Sequence, residues 1–374
     1  MRTSSSTITI KNLRRHEKLY DVKFIGENAQ DAGGPYRESW QDFATEMMSQ
    51  CIPLFLPVPN EQDSTSANRD QWLPNPNPSG SDDNDGMSPL HYDAFLFCGQ
   101  LLGIAMRNEL CLPLNFASIV WKALSNDTLT MEDIYQVDSS TRSIVNGIRS
   151  FDVEKNGKDG FLEIDLMFSC ETLNGQQIDL IENGSTIQVT CDRREEYCTL
   201  LEEYRLHEFD TQLEVLRKGL SMIVPIKPLT LFTWSEVATL VTGRPGKMNL
   251  TLLKKHTDFK RWQGNEQTIL WLWELLEEME PEDQAAFLKF TWGRTRLPLS
   301  SETFTQKMKL TQRSSSPDAF PISHTCFFEI EIPVYTSKEI MREKIMYAII
   351  HCTSIDGDGN SASAEGWEDM EEVS

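Results

Sequence analysis

The chain contains few basic residues for its length. Its 374 residues include 57 Asp and Glu but only 35 Lys and Arg, which gives a formal net charge of −22 at pH 7. A protein that binds nucleic acid needs Lys and Arg to replace the counterions of the phosphate groups. This shortage of basic residues argues against a nucleic-acid partner.

Long apolar runs are also missing. No segment approaches the roughly 18 apolar residues that a membrane-spanning helix needs. The first part of the chain, which includes Arg14, Arg15 and Lys18, lacks the apolar stretch of a secretory signal peptide. We therefore expect a cytoplasmic protein without a membrane span.

The cysteines show no pairing pattern. Eight of them are scattered along the chain, and no two form a CxxC pair. This spacing predicts neither a disulfide framework nor a zinc site. We expect free thiols in a reducing compartment, with no bound metal and no cofactor.

One segment resembles a calcium-binding loop. Asp152, Glu154, Asn156 and Glu163 have the spacing of oxygen ligands in an EF-hand, and Gly157 stands at its turn. The position that such a loop fills with an apolar residue holds an aspartate here. The alternative interpretation is a charged, glycine-rich loop that leads into a strand.

Two segments hold much of the acidity. Residues 57–90 contain six acidic residues and one Arg among Pro, Asn, Ser and Gly, and residues 352–374 contain seven acidic residues and no basic one. Such segments bury too little apolar surface to offset the entropy of the chain. We predict a mobile surface insertion at 57–90 and a disordered acidic tail at 352–374.

Helices dominate the predicted elements. Apolar residues recur at helical spacing in three segments, which are 92–108, 194–219 and 268–279. They alternate in two shorter segments, 161–168 and 328–332, which predicts strands. Residues 242–247 contain two Gly and a Pro, a composition typical of a break or hinge.

Cys326 has surroundings that differ from those of the other cysteines. It follows a Ser- and Pro-rich loop at 314–323 and precedes the predicted strand 328–332, a junction where a side chain can face solvent. His324, two residues earlier, can favour a thiolate or handle a proton. Two interpretations remain at this point: a nucleophilic thiol, or a small buried apolar side chain.

Residues 320–327, around Cys326, read FPISHTCF, and IPVY at 332–335 and a helical segment at 337–350 follow. This pattern resembles the catalytic domain of HECT-type ubiquitin ligases. Further similar segments are FIGE at 24–27, DAGGP at 31–35 followed by Arg37 and Glu38, GIAM at 103–106, PL at 113–114, IDLMF at 164–168, and residues 288–298. The serine-rich beginning and the acidic end resemble the large HERC subfamily.

The resemblance implies an α+β, bilobal HECT-like fold. A mainly helical amino-terminal lobe spans 1–242, a hinge at 243–248 contains Gly243, Pro245 and Gly246, and a smaller α/β carboxy-terminal lobe spans 249–351. Within the first lobe, a small α/β subdomain at about 140–222 docks the ubiquitin-conjugating enzyme. The residues that match the family's docking groove are Ile144, Ile148, Leu166, Tyr197 and Leu201.

The resemblance also implies the mechanism of a ubiquitin-protein ligase. Cys326 is then the nucleophile that takes ubiquitin, as a thioester, from a charged ubiquitin-conjugating enzyme and passes it to a lysine of a protein substrate, with His324 assisting. We expect the chain to be a fragment of a larger protein. The family has an aromatic residue fourth from the end, where this sequence has Glu371. The alternative function is therefore a catalytically inert scaffold that binds ubiquitin or the conjugating enzyme.

Overall fold

The computed structural model describes residues 19–22, 34–49, 51–78, 87–264, 266–304 and 306–351. The predicted acidic tail at 352–374 and residues 79–86 of the predicted insertion lie outside this part of the chain. Within it, no helix is both long and apolar enough to cross a membrane.

The described residues are mainly helical, with small sheets. The α-helices are α1 (Gly34–Met47), α2 (Pro89–Asn108), α3 (Ser118–Ser125), α4 (Met131–Tyr135), α5 (Ser139–Arg149), α6 (Val153–Leu162), α7 (Arg194–His207), α8 (Asp210–Ser221), α9 (Ile226–Leu229), α10 (Trp234–Thr242), α11 (Leu250–Lys255), α12 (Gln267–Glu278), α13 (Pro281–Trp292) and α14 (Lys338–His351). The strands are β1 (Phe55–Pro57), β2 (Trp72–Pro74), β3 (Ser169–Glu171), β4 (Gln177–Asp179), β5 (Thr257–Lys260), β6 (Met308–Gln312), β7 (Ile322–His324) and β8 (Glu329–Ile332). The α+β class is confirmed, and the predicted helices correspond to α2, to α7 with α8, and to α12.

The chain divides into two compact units. Among the described residues, the first unit holds 44–108 and 114–241, and the second holds those of 15–43, 109–113 and 242–351. The first unit ends at residue 241, and the second unit resumes at residue 242. Two earlier segments, assigned by sequence to the amino-terminal lobe, instead belong to the second unit. For the segment 109–113, one reason is that Arg294 of the second unit donates a hydrogen bond to the carbonyl oxygen of Glu109 at 3.1 Å.

Helices α2 and α8 form the closest packing in the first unit. A Cβ atom at Gly99 would lie 2.0 Å from the carbonyl oxygen of Leu216, and one at Gly219 would lie 2.0 Å from that of Leu96. The two backbones therefore touch, which only glycine permits. The apolar core of the predicted docking subdomain has buried residues from 145 to 201, and none of them lies in α8.

Residues 57–78 are structured, which corrects the prediction of a mobile insertion for this part. They include the last residue of β1 and all of β2, and these two strands pair antiparallel. Asn60 is buried; its side chain donates to the carbonyl oxygens of Ala67 and Gln136 at 2.9 and 3.0 Å and accepts from the Ser139 amide at 2.7 Å. The polar composition suggested solvent exposure, but here a polar side chain satisfies buried backbone groups.

The strand predicted at 161–168 is wrong. Residues 153–162 form α6, interrupted at Gly157 (φ 70°, ψ 167°), and the strand β3 begins at Ser169. Phe161 is buried edge-on against Phe151, so the apolar alternation reflects helix packing. The carboxylate of Asp152 accepts a hydrogen bond from the Lys155 amide at 3.0 Å and so caps the start of α6. This role differs from that of a calcium ligand in an EF-hand.

The second unit is built on a four-stranded sheet in the order β5-β6-β8-β7. The strands β5, β6 and β8 are parallel, and β7 runs antiparallel to β8. Buried residues of α12, α13 and α14 pack with those of β6 and β8 in one apolar core. The sheet thus brings the short β7–β8 connection, which contains Cys326, to its edge.

Substitution of Gly99 tests the α2–α8 packing. We expect Gly99→Ala to lower the free energy of unfolding by about 1–3 kcal/mol or more, because the new methyl group overlaps the α8 backbone. Gly147→Ala is the matched control, since Gly147 is exposed in α5 with nothing within 4 Å of its Cβ position. That change should be stabilising by about 0.5–1 kcal/mol. Denaturant unfolding measures both; equal effects would contradict the close packing.

Candidate active site

Cys326 lies in the tight turn between β7 and β8. Residues Thr325–Phe327 form one turn of 3₁₀ helix, and Phe328 follows with a left-handed backbone (φ 46°, ψ 52°). Such a conformation is strained for a bulky residue. Cys326 is only 9% exposed. The sequence suggested that the Cys326 side chain faces solvent. The turn instead packs against α13 and leaves little of this residue exposed.

Trp292, at the end of α13, supports this turn. Its ring stacks on that of Phe328, with centroids 4.1 Å apart and planes within 3° of each other. The stack continues to Phe304, 5.8 Å from Trp292, and then to His256, 4.2 Å from Phe304. Trp292 and Phe328 are both fully buried, so aromatic packing holds the strained residue next to the candidate nucleophile.

Hydrogen bonds fix the carbonyl groups of the turn. Gln306 donates from Nε2 to the carbonyl oxygen of Cys326 at 3.0 Å, and its Oε1 accepts from Trp292 Nε1 at 3.3 Å. Arg37, on α1, donates to the carbonyl oxygen of Thr325 at 2.9 Å and to that of Trp292 at 3.2 Å. The turn is therefore bonded to side chains from segments far away in sequence.

His324, the predicted assisting residue, ends β7. Its Nε2 lies 3.4 Å from Oε1 of Glu331 on the adjacent strand β8. Both side chains are about one-third exposed. An opposite charge at this distance stabilises an imidazolium. The strand pairing thus places a carboxylate beside the imidazole that precedes Cys326.

Burial makes several of the other cysteines poor nucleophiles. It raises the pKa of the Cys98 thiol to about 12 and that of Cys170 to about 11. Burial also raises the pKa of Cys111 and of Cys198. The raised pKa of these four thiols lowers the fraction of thiolate, the nucleophilic form, at neutral pH. No three His, Cys, Asp or Glu side chains converge on a metal site in the described ranges.

The predicted docking residues differ in exposure. Ile148, Tyr197 and Leu201 are 6%, 3% and 3% exposed and belong to the apolar core of the subdomain. Leu166 is half-buried against the same core, whereas Ile144 is 47% exposed. The structure thus places the first three inside the subdomain, and their docking role stays a prediction. Two further exposed apolar residues of this subdomain are Leu162 and Ile164.

Hydrogen bonds hold the start of the predicted hinge in place. Arg296 donates from Nη1 to the carbonyl oxygens of Thr242 and Gly243 at 2.8 and 3.3 Å. Gly243 has φ 74°, and a Cβ there would lie 3.2 Å from Cβ of Arg296 and 3.3 Å from Cβ of Cys111. This position therefore requires glycine both for its dihedral angle and for space.

The end of the predicted hinge is also bonded. Gln284, buried on α13, accepts from the Met248 amide at 2.6 Å and donates to the carbonyl oxygen of Leu276 at 2.6 Å. Between the two bonded ends, residues 244–247 are exposed, and Gly246 has φ 83°. They border a cavity of about 360 Å³ whose other walls are 281–288 and 295–299.

The sequence of this chain matches the profile of a known protein family. The profile of the HECT-domain (ubiquitin-transferase) family matches residues 41–356, which include the Cys326 turn, the predicted hinge and the predicted docking subdomain. The chain belongs to the HECT family.

Several E3 ubiquitin-protein ligases are similar to this HECT domain. HERC2 of Mus musculus is 36% identical over 94% of the chain, HUWE1 of Mus musculus is 28% identical over 90%, and pub1 of Schizosaccharomyces pombe is 29% identical over 89%. The chain spans only 7% of HERC2 and of HUWE1, and 42% of pub1. It therefore matches a small part of the large relatives.

Three residues of the HECT site have no role in the sequence-based prediction. Arg37 and Trp292 lie in segments that resemble the family, but that resemblance says nothing about what they bind. Gln306 lies outside the similar segments and carries no sequence signal. Their bonds to the turn arise from tertiary packing, because 288 residues separate Arg37 from Thr325 and 20 separate Gln306 from Cys326.

Proposed function

We propose that this HECT domain acts in a ubiquitin-protein ligase by carrying ubiquitin as a thioester on Cys326. The observation that carries the proposal is the position of Cys326 within the SHTCF turn of a domain that matches the HECT family over 41–356. The raised pKa of four of the other thiols supports this choice of nucleophile.

The proposed reaction has two balanced steps. The thiolate of Cys326 attacks the thioester carbonyl of ubiquitin on a conjugating enzyme, and the thiolate of that enzyme leaves. A lysine amine of the substrate then attacks the new thioester, loses a proton, and displaces the Cys326 thiolate. One thioester replaces another in the first step, so its rate depends on positioning of the sulfur atoms.

We assign His324 an assisting role in the second step. Its imidazole is partly exposed and precedes Cys326 by two residues, which supports a role in accepting the proton that the amine releases. Glu331 would stabilise the resulting imidazolium. We also propose a cytoplasmic location, because the cysteines among the described residues are free thiols, which persist in a reducing compartment.

Replacement of Cys326 tests the nucleophile. We expect Cys326→Ala to abolish the reducible ubiquitin adduct that forms with activating enzyme, a conjugating enzyme, ATP and ubiquitin, since no sulfur remains to form the thioester. Non-reducing and reducing gels measure the adduct. Cys198→Ala, at a buried thiol, is the control that should retain it. A reducible adduct on Cys326→Ala would assign the nucleophile elsewhere, and parent protein that binds its partners without forming any adduct would favour the inert scaffold.

We propose that exposed apolar side chains of the docking subdomain contact the conjugating enzyme. Ile144 and Ile164 are each 47% exposed, whereas Tyr197 and Leu201 are buried in the core of the same subdomain. Burial of exposed apolar side chains of this size against a partner contributes favourably to the free energy of binding. The buried residues then shape the subdomain and support docking indirectly.

Paired substitutions separate docking from core packing. We expect Ile144→Ala to slow loading of Cys326 about tenfold with unchanged thermal stability, since it removes an exposed contact. Leu201→Ala should instead lower the free energy of unfolding by about 2–5 kcal/mol, because it leaves a cavity. Single-turnover loading and thermal unfolding measure the two effects. Normal loading by both Ile144→Ala and Ile164→Ala would rule out these residues as docking contacts.

We propose that the start of the linker at 243–248 permits the movement that carries Cys326 from the conjugating enzyme to a lysine. Arg296 and Gln284 bond its two ends to the second unit, so that movement must release the bonds of Arg296 to Thr242 and Gly243 or use the chain before them. Residues 244–247 by themselves then move with the second unit.

Proline substitutions test the linker. Gly243→Pro should slow both loading and discharge, because proline cannot adopt φ 74° and its ring would displace Arg296. Gly246→Pro is the comparison: its Cβ position is open, so its effect should be smaller. Alkylation of Cys326 by iodoacetamide should continue at the parent rate in both. Equal loading and discharge by Gly243→Pro and the parent would show that this position takes no part in the movement.

A further inference from the structure

The side chain of Gln306 links the Cys326 backbone to the aromatic stack. Its Nε2 donates to the carbonyl oxygen of Cys326 at 3.0 Å, and its Oε1 accepts from the indole nitrogen of Trp292 at 3.3 Å. Gln306 comes two residues before β6, the strand that pairs with β8. Both ends of its amide are thus committed, and the amide cannot rotate without breaking a bond.

Two other contacts complete the support of the turn. The ring of Trp292 stacks on Phe328, so the residue that bonds Gln306 also holds the far end of the turn. The guanidinium of Arg37 donates to Thr325 O and to Trp292 O. Two consecutive carbonyl groups, those of Thr325 and Cys326, are therefore held by side chains from α1 and from the residues before β6.

This arrangement determines the direction of the Cys326 side chain. The peptide plane that follows Cys326 is fixed by Gln306, and the plane before it is fixed by Arg37. When both planes are fixed, the Cα–Cβ bond of the residue between them has one direction, and only rotation about χ1 remains for the sulfur. The left-handed backbone of Phe328 shows that the turn is held in a conformation it would not adopt by itself.

We propose that Gln306 is a positioning residue for Cys326, supported by Trp292 and Arg37. It orients the sulfur for attack on the thioester carbonyl, which must be approached along one direction. The proposal rests on the proposed role of Cys326 as the thioester-forming nucleophile. Misplacement of a reacting group by about 1 Å costs on the order of a hundredfold in rate. Alkylation by a small reagent, in contrast, does not require the sulfur to meet the thioester of a conjugating enzyme along one direction.

Variants of Gln306 separate its two bonds. Gln306→Leu removes both. Gln306→Glu keeps the acceptor for Trp292 Nε1 but places a carboxylate oxygen against the carbonyl oxygen of Cys326. Trp292→Phe removes the indole N–H and keeps a ring that stacks on Phe328. Gln312→Leu is the matched control, because Gln312 is a half-buried glutamine at the other end of β6.

The experiment compares two reactions of the same sulfur. Single-turnover transfer from a charged conjugating enzyme gives the loading rate, and mass spectrometry of the Cys326 peptide after iodoacetamide treatment gives the alkylation rate. We expect Gln306→Leu and Gln306→Glu to slow loading about tenfold or more while alkylation stays within about twofold of the parent. Trp292→Phe should slow loading less, and adding it to Gln306→Leu should have no further effect, because both act through one bonded chain.

Three results would overturn the proposal. Loading by Gln306→Leu at the parent rate would show that the bond to Cys326 O has no role in positioning. A parallel fall of loading, alkylation and melting temperature in both Gln306 variants, but not in Gln312→Leu, would assign Gln306 a structural role only. A parent protein that forms no adduct at all would overturn the proposed function itself, and with it the need to position the sulfur; that result is distinguishable because it appears without any substitution.

Discussion

The stacking of Trp292 on Phe328 is the contact on which the active-site turn depends. Only four residues separate the antiparallel strands β7 and β8, and the last of them adopts a left-handed backbone. That backbone costs a non-glycine residue about 1–2 kcal/mol. Full burial of a Phe side chain contributes about 1.5–3 kcal/mol, and a stacked partner adds about 0.5–1.5 kcal/mol. Packing therefore outweighs the strain, and the turn stays in one conformation beside Cys326.

The same constraint connects the Cys326 turn to the rest of the second unit. Trp292 ends α13 and, with Phe287, Leu288 and Phe290 of that helix, belongs to the unit's apolar core. Its indole N–H donates to the side chain that bonds Cys326 O. Gln284, also on α13, holds the amide of Met248. One helix thus anchors both the turn and the end of the linker, so the position of Cys326 relative to that point of the chain follows from the rigidity of α13.

Local sequence patterns predict the elements that neighbouring residues determine. They do not predict the features that depend on contacts between residues far apart in the chain. Apolar spacing predicted α2 and α12, because helical periodicity is a property of neighbouring residues. It failed at 161–168, where alternation suggested a strand but Phe161 packs from a helix. Composition failed at 57–78, because a polar residue such as Asn60 can satisfy buried backbone groups that only the folded chain brings to it.

The sequence by itself determined the family, the α+β class and the candidate nucleophile, because the SHTCF segment and the spacing of apolar residues are local features of the chain. The tertiary structure decided that Cys326 is covered, that Tyr197 and Leu201 lie in a core, and that Arg37 and Gln306 hold the turn. The physical reason is distance along the chain. A hydrogen bond between residues 288 apart depends on how every intervening element packs, and no local pattern records it.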